Sequence, residues 1–181
     1  RCLDERRIDG PRGAAGEHYR QQLIAANIDH VLVVCGLDAD FNPRRIERYL
    51  LVVQSSGASP VLVLTKADQC ADLDDVLAAL ESVRMVGIPV FPLDAKNADD
   101  VKALHSYLCA GKSAVLVGSS GAGKSTLTNT LLGTERMKTN TVRENDSRGR
   151  HTTTYRVLIP LPQGGCLIDT PGALASTRIS S

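Results

Sequence analysis

Gly118-Ser119-Ser120-Gly121-Ala122-Gly123-Lys124-Ser125 is the stretch that decides the fold. It has the form G-x-x-x-x-G-K-S and stands between the apolar run Ala114-Val115-Leu116-Val117 and a helical pattern from Lys124 to Leu132. Strand, glycine-rich loop and helix in that order make a phosphate cradle. The glycines let successive N–H groups converge on a β-phosphate, and the helix N-terminus adds its positive pole. Lys124 would bridge β- and γ-phosphate oxygens, and the Ser125 hydroxyl would ligate Mg²⁺. Ser119, Ser120, Ala122 and Thr126 belong to the same cradle. The plainer reading is a glycine-rich turn carrying a surface lysine, and the flanking strand and helix argue against it.

Working outward, Asp169-Thr170-Pro171-Gly172 closes the apolar run Cys166-Leu167-Ile168. Asp169 would hold Mg²⁺ through water, and the Gly172 N–H would meet the γ-phosphate. Upstream, Thr65-Lys66-Ala67-Asp68 ends the apolar run Val61-Leu62-Val63-Leu64, where open α/β sheets place their ligands. The Asp68 carboxylate can accept from N1 and the exocyclic amine of guanine, groups that adenine does not offer there. The stem of Lys66 would cover the base plane while its ammonium hydrogen-bonds the loop. The rival for T-K-x-D is a helix-capping turn. Leu93-Asp94-Ala95-Lys96, after the next strand, would bring the Ala95 N–H to guanine O6, unless Asp94 is simply an acidic helix cap.

In an ordinary GTPase the base reader follows the phosphate sensor, whereas here it precedes every other element. The order therefore reads as a circularly permuted GTPase. The remaining switch element is Gly149-Arg150-His151-Thr152-Thr153-Thr154. Thr153 or its neighbour Thr152 would ligate Mg²⁺ when γ-phosphate is present. The residue after Gly172 is Ala173, where Ras-like enzymes carry the glutamine that orients attacking water. An alanine cannot do that, so slow intrinsic hydrolysis is expected. His151 would take over the task, together with Lys124 as the second catalytic residue. Its rival role is a surface histidine at a strand entry.

The rest of the chain agrees with an α/β, P-loop NTPase fold, a mainly parallel sheet with helices on both faces. Val31 to Cys35 is a continuous apolar run, as a strand buried on both faces requires. Pro43 opens a helix with Ile46, Tyr49, Leu50 and Val53 at helical spacing. Further helices are predicted over Leu73–Met85, behind an acidic start at Asp72, and over Ala98–Leu108, with a short strand over Ile88–Leu93. Tyr155–Leu161 and Cys166–Asp169 read as two strands around the turn Pro162-Gln163-Gly164-Gly165. Residues 137–151 are polar and aperiodic. Residues 1–16 read as an irregular arm or the remnant of a preceding domain, and 17–181 as the GTPase domain.

Composition narrows the class. The 181 residues suit one α/β domain, and a net charge of +1 gives no electrostatic case for wrapping nucleic acid. No Trp and only 3% aromatic residues leave no stacking platform for single strands. Five scattered cysteines without a C-x-x-C pair read as buried thiols in a reducing cytosol. No apolar run reaches the roughly 18 residues of a membrane span. A cytoplasmic protein without membrane association is expected.

Thr65–Asp68, Gly118–Ser125, Gly149–Thr154 and Asp169–Gly172, in that permuted order, resemble the ribosome small subunit-dependent GTPase A family (RsgA, also YjeQ or YloQ). The resemblance extends through Ala25–His30 and the Asn42–Leu50 segment and covers about residues 17–172. It implies a GTP hydrolase acting late in maturation of the small ribosomal subunit, with nucleotide state switching ribosome affinity. Mg²⁺ would be its cofactor, the small subunit and its rRNA its partners, and a monomer its state. Family members resemble a three-part protein with an N-terminal OB-fold and a C-terminal zinc domain. The residues on either side of 17–172 are too few for either, so zinc is not expected in this stretch, which reads as an isolated GTPase core or as part of a longer protein. The rival classes are a guanine-nucleotide-binding module with little turnover, which Ala173 favours, and a P-loop kinase or ATPase, which Asp68 opposes.

Overall fold

Strands β1 (Arg7–Arg12) and β2 (Arg20–Ala26) pair antiparallel as a sheet of their own, with a bulge between Ile8 and Asp9. The sequence reads residues 1–16 as irregular because they are rich in Arg, Asp and Gly and show no sustained period. Pairing with β2, which lies beyond that window, makes Arg7–Arg12 a strand. The computed structural model describes residues 7–12, 20–38, 41–135 and 157–169.

The apolar runs then build a six-stranded sheet. Its members are β3 (His30–Gly36), β4 (Ser59–Thr65), β5 (Val90–Pro92), β6 (Ser113–Val117), β7 (Val157–Pro160) and β8 (Cys166–Asp169). They lie in the order β5-β4-β3-β6-β8-β7, all neighbours parallel except β7 and β8. Alternate residues of the central strands feed opposite cores. Val31, Val33, Leu62, Leu64, Val115 and Val117 face one side, and Leu32, Val34, Val61, Val63 and Ala114 the other. Burial on both faces explains why these runs are apolar at every position.

Helix α1 (Pro43–Ser55) starts as its sequence suggests. The Asn42 side chain accepts the Arg45 N–H at 3.1 Å, proline stands in the first turn, and Ile46, Leu50 and Val53 are buried. The single helix expected over 73–85 is two, α2 (Leu73–Ala79) and α3 (Glu81–Met85), broken at Leu80. Leu80 is fully buried there and Val83 nearly so. Burying a leucine contributes about 1.5–3 kcal/mol, more than the roughly 1 kcal/mol of one helical hydrogen bond.

The helix expected over 98–108 is one turn of α-helix, α4 (Ala98–Val101), followed by a 3₁₀ segment over Lys102–Tyr107. Three residues per turn align Val101, Leu104 and Tyr107 on the core side. The strand expected over 88–93 shrinks to β5, an edge strand that starts after Pro89, which has no N–H to give β4, and that takes Pro92 on its unpaired edge. Helix α5 (Lys124–Leu132) has the limits its sequence predicts.

Cys35 is buried, but Cys70 and Cys166 are half-buried and Cys109 is exposed, so the expectation of uniformly buried thiols fails; Cys2 lies outside the described residues. Connections from β3 run toward β5 with α1, α2 and α3 over one face. The chain then returns to β6, and α5 covers the other face beside α4 and the 3₁₀ segment. The direction of winding thus reverses between β3 and β6. In open α/β sheets ligands bind outside the carboxyl ends of strands at such a reversal.

Candidate guanine-nucleotide site

Chain loops from β3, β4, β5, β6 and β8 all leave the carboxyl edge of the sheet. The β6 loop is the glycine-rich one. Gly118 has φ +151°, and a Cβ there would lie 2.1 Å from the Val34 carbonyl oxygen, so the loop passes directly against β3. Gly123 has φ +90°, and a Cβ would come within 3.1 Å of the Thr65 hydroxyl. Only glycine accommodates both the backbone angles and the closeness.

The Lys124 ammonium donates to the carbonyls of Gly118 at 2.8 Å and Ser119 at 2.5 Å. It thereby fixes the start of the loop and keeps its charge inside the curl. Ser125 and Thr126 sit half-buried in the first turn of α5, Ala122 is buried, and Ser120 and Gly121 are exposed at the tip.

Thr65, the first residue of the base-reading string, is fully buried. Its hydroxyl donates to the Ala122 carbonyl at 2.7 Å, with the Cys35 carbonyl a more distant acceptor at 3.4 Å. Reader and phosphate loop are therefore joined by a direct hydrogen bond. Lys66 follows in the left-handed conformation, φ +61°, which turns the chain sharply into a 3₁₀ turn over Ala67–Gln69. The Ala67 N–H reaches the Leu93 carbonyl at 3.3 Å. Asp68 is exposed, its carboxylate 3.4 Å from the Gln69 amide nitrogen. It caps no helix, because the cap of α2 is Asp72, which accepts the Asp75 N–H at 3.0 Å. The Lys66 ammonium does not bond the phosphate loop as the sequence suggests; it pairs with the Asp38 carboxylate beyond β3.

The third loop carries Asp94 and Ala95. Asp94 is no helix cap either, since Asn97 caps α4 by accepting the Asp99 N–H at 2.9 Å. Asp94 instead accepts the Lys96 N–H at 2.9 Å and donates its own N–H to Asp100 at 3.0 Å, which shapes the turn around Ala95. Ala95 is buried, and its carbonyl accepts the Thr130 hydroxyl at 2.6 Å. That bond ties the loop to α5. Among the described residues the Ala95 N–H has no hydrogen-bond partner.

Asp169 ends β8, one residue beyond the pairing of Ile168 with Val115 of β6, so its backbone emerges beside the strand that enters the phosphate loop. His151, Thr152, Thr153 and the rest of Gly149–Thr154, together with Thr170, Pro171, Gly172 and Ala173, lie outside the described residues. Within the described part, the site unites Thr65–Asp68, Ala95 and Gly118–Thr126. Sequence reasoning missed Asp38 and Thr130. Asp38 carried a weak signal, an acid just past a buried strand that borders the reader, whereas Thr130 carried none.

The glycine-rich loop after β6 is thus hydrogen-bonded to the loop after β4, two strands away in the sheet, whose Asp68 carboxylate is exposed. The sequence profile of the RsgA GTPase family matches residues 12–177. The chain belongs to the RsgA GTPase family. A relative from Xanthomonas euvesicatoria pv. vesicatoria (strain 85-10), named small ribosomal subunit biogenesis GTPase RsgA, is 70% identical over 171 residues. The match covers 94% of this chain and 47% of the relative. A protein of the same name from Xanthomonas campestris pv. campestris (strain B100) is 68% identical over the same coverage. The chain thus spans about half the length of the curated relatives it matches.

Among solved structures, YjeQ from Thermotoga maritima superposes with a TM-score of 0.62 at 28% identity, over 82% of this chain and 49% of the other. YloQ, described as a circularly permuted GTPase, superposes with a TM-score of 0.61 at 21% identity, over 86% and 47%, a likeness of fold. This RsgA-family chain has that permuted P-loop fold, with β3, β4 and the Thr65–Asp68 string preceding β6 and the phosphate loop.

Proposed function

We propose that this chain is the GTP-hydrolysing core of a protein that acts late in maturation of the small ribosomal subunit. The observation that carries the reading is the Thr65–Ala122 hydrogen bond, which joins the base-reading string to the phosphate loop in a permuted order. Family membership and the names of the Xanthomonas relatives support the ribosomal part. On this reading residues 17–181 form the nucleotide-binding domain, and small-subunit rRNA is the surface its nucleotide state engages. The protein is a cytoplasmic monomer. Among the described residues no helix is long and apolar enough to cross a membrane.

Asp68 selects guanine by accepting its N1 and amine hydrogens, and the Ala95 N–H meets O6. Lys124 and the loop N–H groups of Gly118–Ser125, with Thr126 and Gly172, hold the phosphates. Lys124 offsets the charge that develops as water attacks the γ-phosphorus in line. Ser125, Thr153 and Asp169 would hold Mg²⁺, the last through water, since hydroxyl and carboxylate oxygens are a hard donor set suited to it. Mg²⁺ held by these residues would supply charge neutralisation for the phosphates. His151 orients the attacking water in place of the glutamine that Ala173 replaces.

The test is phosphate release from GTP and from ATP, each with and without purified small ribosomal subunits. Turnover confined to GTP and raised by the subunit is expected. Comparable ATP turnover would sink the guanine reading. Tight GTP binding without turnover in either condition would leave a guanine-nucleotide-binding module, the alternative that Ala173 favours. His151→Ala is expected to lower turnover at least tenfold, about 1.4 kcal/mol in barrier, with little change in affinity. Subunit-stimulated turnover within about twofold of the parent would remove His151 from catalysis.

A further inference from the structure

Lys66 is held at both ends. Its backbone is fixed in the left-handed region at φ +61° and ψ +31°, a conformation that a lysine does not choose by itself. Its ammonium is paired with the Asp38 carboxylate, from the segment just past β3. The partnership follows from the sheet register. Gly36, the last residue of β3, lies opposite Thr65, and the Leu37 N–H donates to the Thr65 carbonyl at 2.9 Å. The end of β3 therefore runs alongside the start of the reader and delivers Asp38 to Lys66.

Gly36 leaves the room for this. A Cβ there would stand 3.0 Å from the Asp38 carboxylate and 3.4 Å from the Lys66 ammonium. Both side chains are partly shielded, at 30% and 39% exposure. A pair this exposed adds little to global stability, so its effect is to be sought in the placement of Lys66. A lysine stem is otherwise among the most mobile of side chains, and a ligand that needs it in one orientation must order it on binding.

We infer that Asp38 is a positioning residue of the base subsite. It anchors the Lys66 ammonium so that the four-carbon stem lies ready along the face that receives the base, next to Asp68. Guanine nucleotides then bind without having to order that stem. This inference rests on the proposed reading of Thr65–Asp68 as the base reader.

The test is a double-mutant cycle on the purified protein, read by equilibrium titration with a fluorescent GDP, with inorganic pyrophosphate as the second probe. Asp38→Ala is expected to weaken GDP binding about five- to tenfold. In a Lys66→Ala background the same change is expected to cost less than about twofold, because Asp38 acts through Lys66. Pyrophosphate affinity stays level, since the phosphate loop is untouched. Asp38→Asn, which keeps the shape but removes the charge, is expected to fall between parent and Asp38→Ala, and serves should the alanine variant fail to fold. An effect of Asp38→Ala that persists in full without Lys66, an Asp38→Ala variant that binds GDP like the parent, or a parallel loss of pyrophosphate binding overturns the positioning role. Normal GDP affinity in Lys66→Ala alone would instead overturn the base-reader reading on which it stands.

Discussion

Adding a methyl group at Gly118 would place a carbon 2.1 Å from the Val34 carbonyl oxygen, at a φ of +151°. Neither the angle nor the contact can be relieved by a rotamer change, because the obstacle is the backbone of a central strand. Gly118→Ala is expected to destabilise the fold by about 3 kcal/mol or more, through strain and displacement of β3. Urea unfolding should show a lower midpoint with an unchanged slope, and an unchanged midpoint would mean that the loop stands off β3. Asp68 makes the complementary case, since it is exposed and caps no α-helix, and on the proposed reading its identity matters for the ligand and not for the fold. Asp68→Asn presents an amide donor to the donors of guanine, at a cost of about 2–4 kcal/mol in GTP binding. Xanthine carries a carbonyl where guanine has its amine, so XTP should overtake GTP in competition titrations. Retained GTP preference would contradict the role of Asp68. Both residues were legible in the sequence, because a glycine-rich loop and a strand-terminal acid are local patterns. The position of Asp38 past a buried strand was a weak signal, but its pairing was not legible, because its partner lies 28 residues away and only the β3–β4 register brings them together.

At the scale of elements, the loop after β5, which the proposed reading turns toward guanine, is fastened to α5 by one hydroxyl, Thr130 on the Ala95 carbonyl at 2.6 Å. Thr130→Val keeps the shape and removes the donor. The Ala95 carbonyl then loses its partner in a buried setting, and the loop loses its tether, worth about 1–2 kcal/mol. GDP affinity should fall about five- to tenfold, while inorganic pyrophosphate, held by the phosphate loop alone, should bind as before. Equal losses for the two ligands would show that the substitution damages α5 itself. The elements themselves were unevenly legible. α1 and α5 announced themselves by cap, proline and periodicity, all local properties. The break at Leu80 and the 3₁₀ winding after Val101 did not, because burial of Leu80 and the alignment of Val101, Leu104 and Tyr107 against the sheet decide them.

For the whole molecule, the site is assembled from strand ends on both sides of the β3–β6 reversal, so a nucleotide that binds it should brace the entire sheet. A ligand that binds only the folded state at about 100 times its Kd stabilises by about 2.7 kcal/mol. For a chain of this size that is a rise in Tm of about 5–10 °C. GDP is expected to produce it, and ADP at the same concentration much less, since Asp68 offers adenine no partner. Identical shifts from the two would indicate phosphate binding without base recognition.

Sequence alone determined the kind of sheet, the phosphate loop and the permuted order of the elements, because each is written in contiguous residues whose geometry or burial constrains their type. Runs apolar at every position have to be strands covered on both faces, and G-x-x-x-x-G-K-S between strand and helix leaves little else to be. Only the tertiary structure decided which loops hold one another. Thr65 meets the Ala122 carbonyl across 57 residues, and Thr130 meets Ala95 across 35. A hydroxyl or an ammonium carries no local mark of its distant partner. The order and register of the parallel strands choose that partner, and those are set by how the two cores pack against the two faces of the sheet.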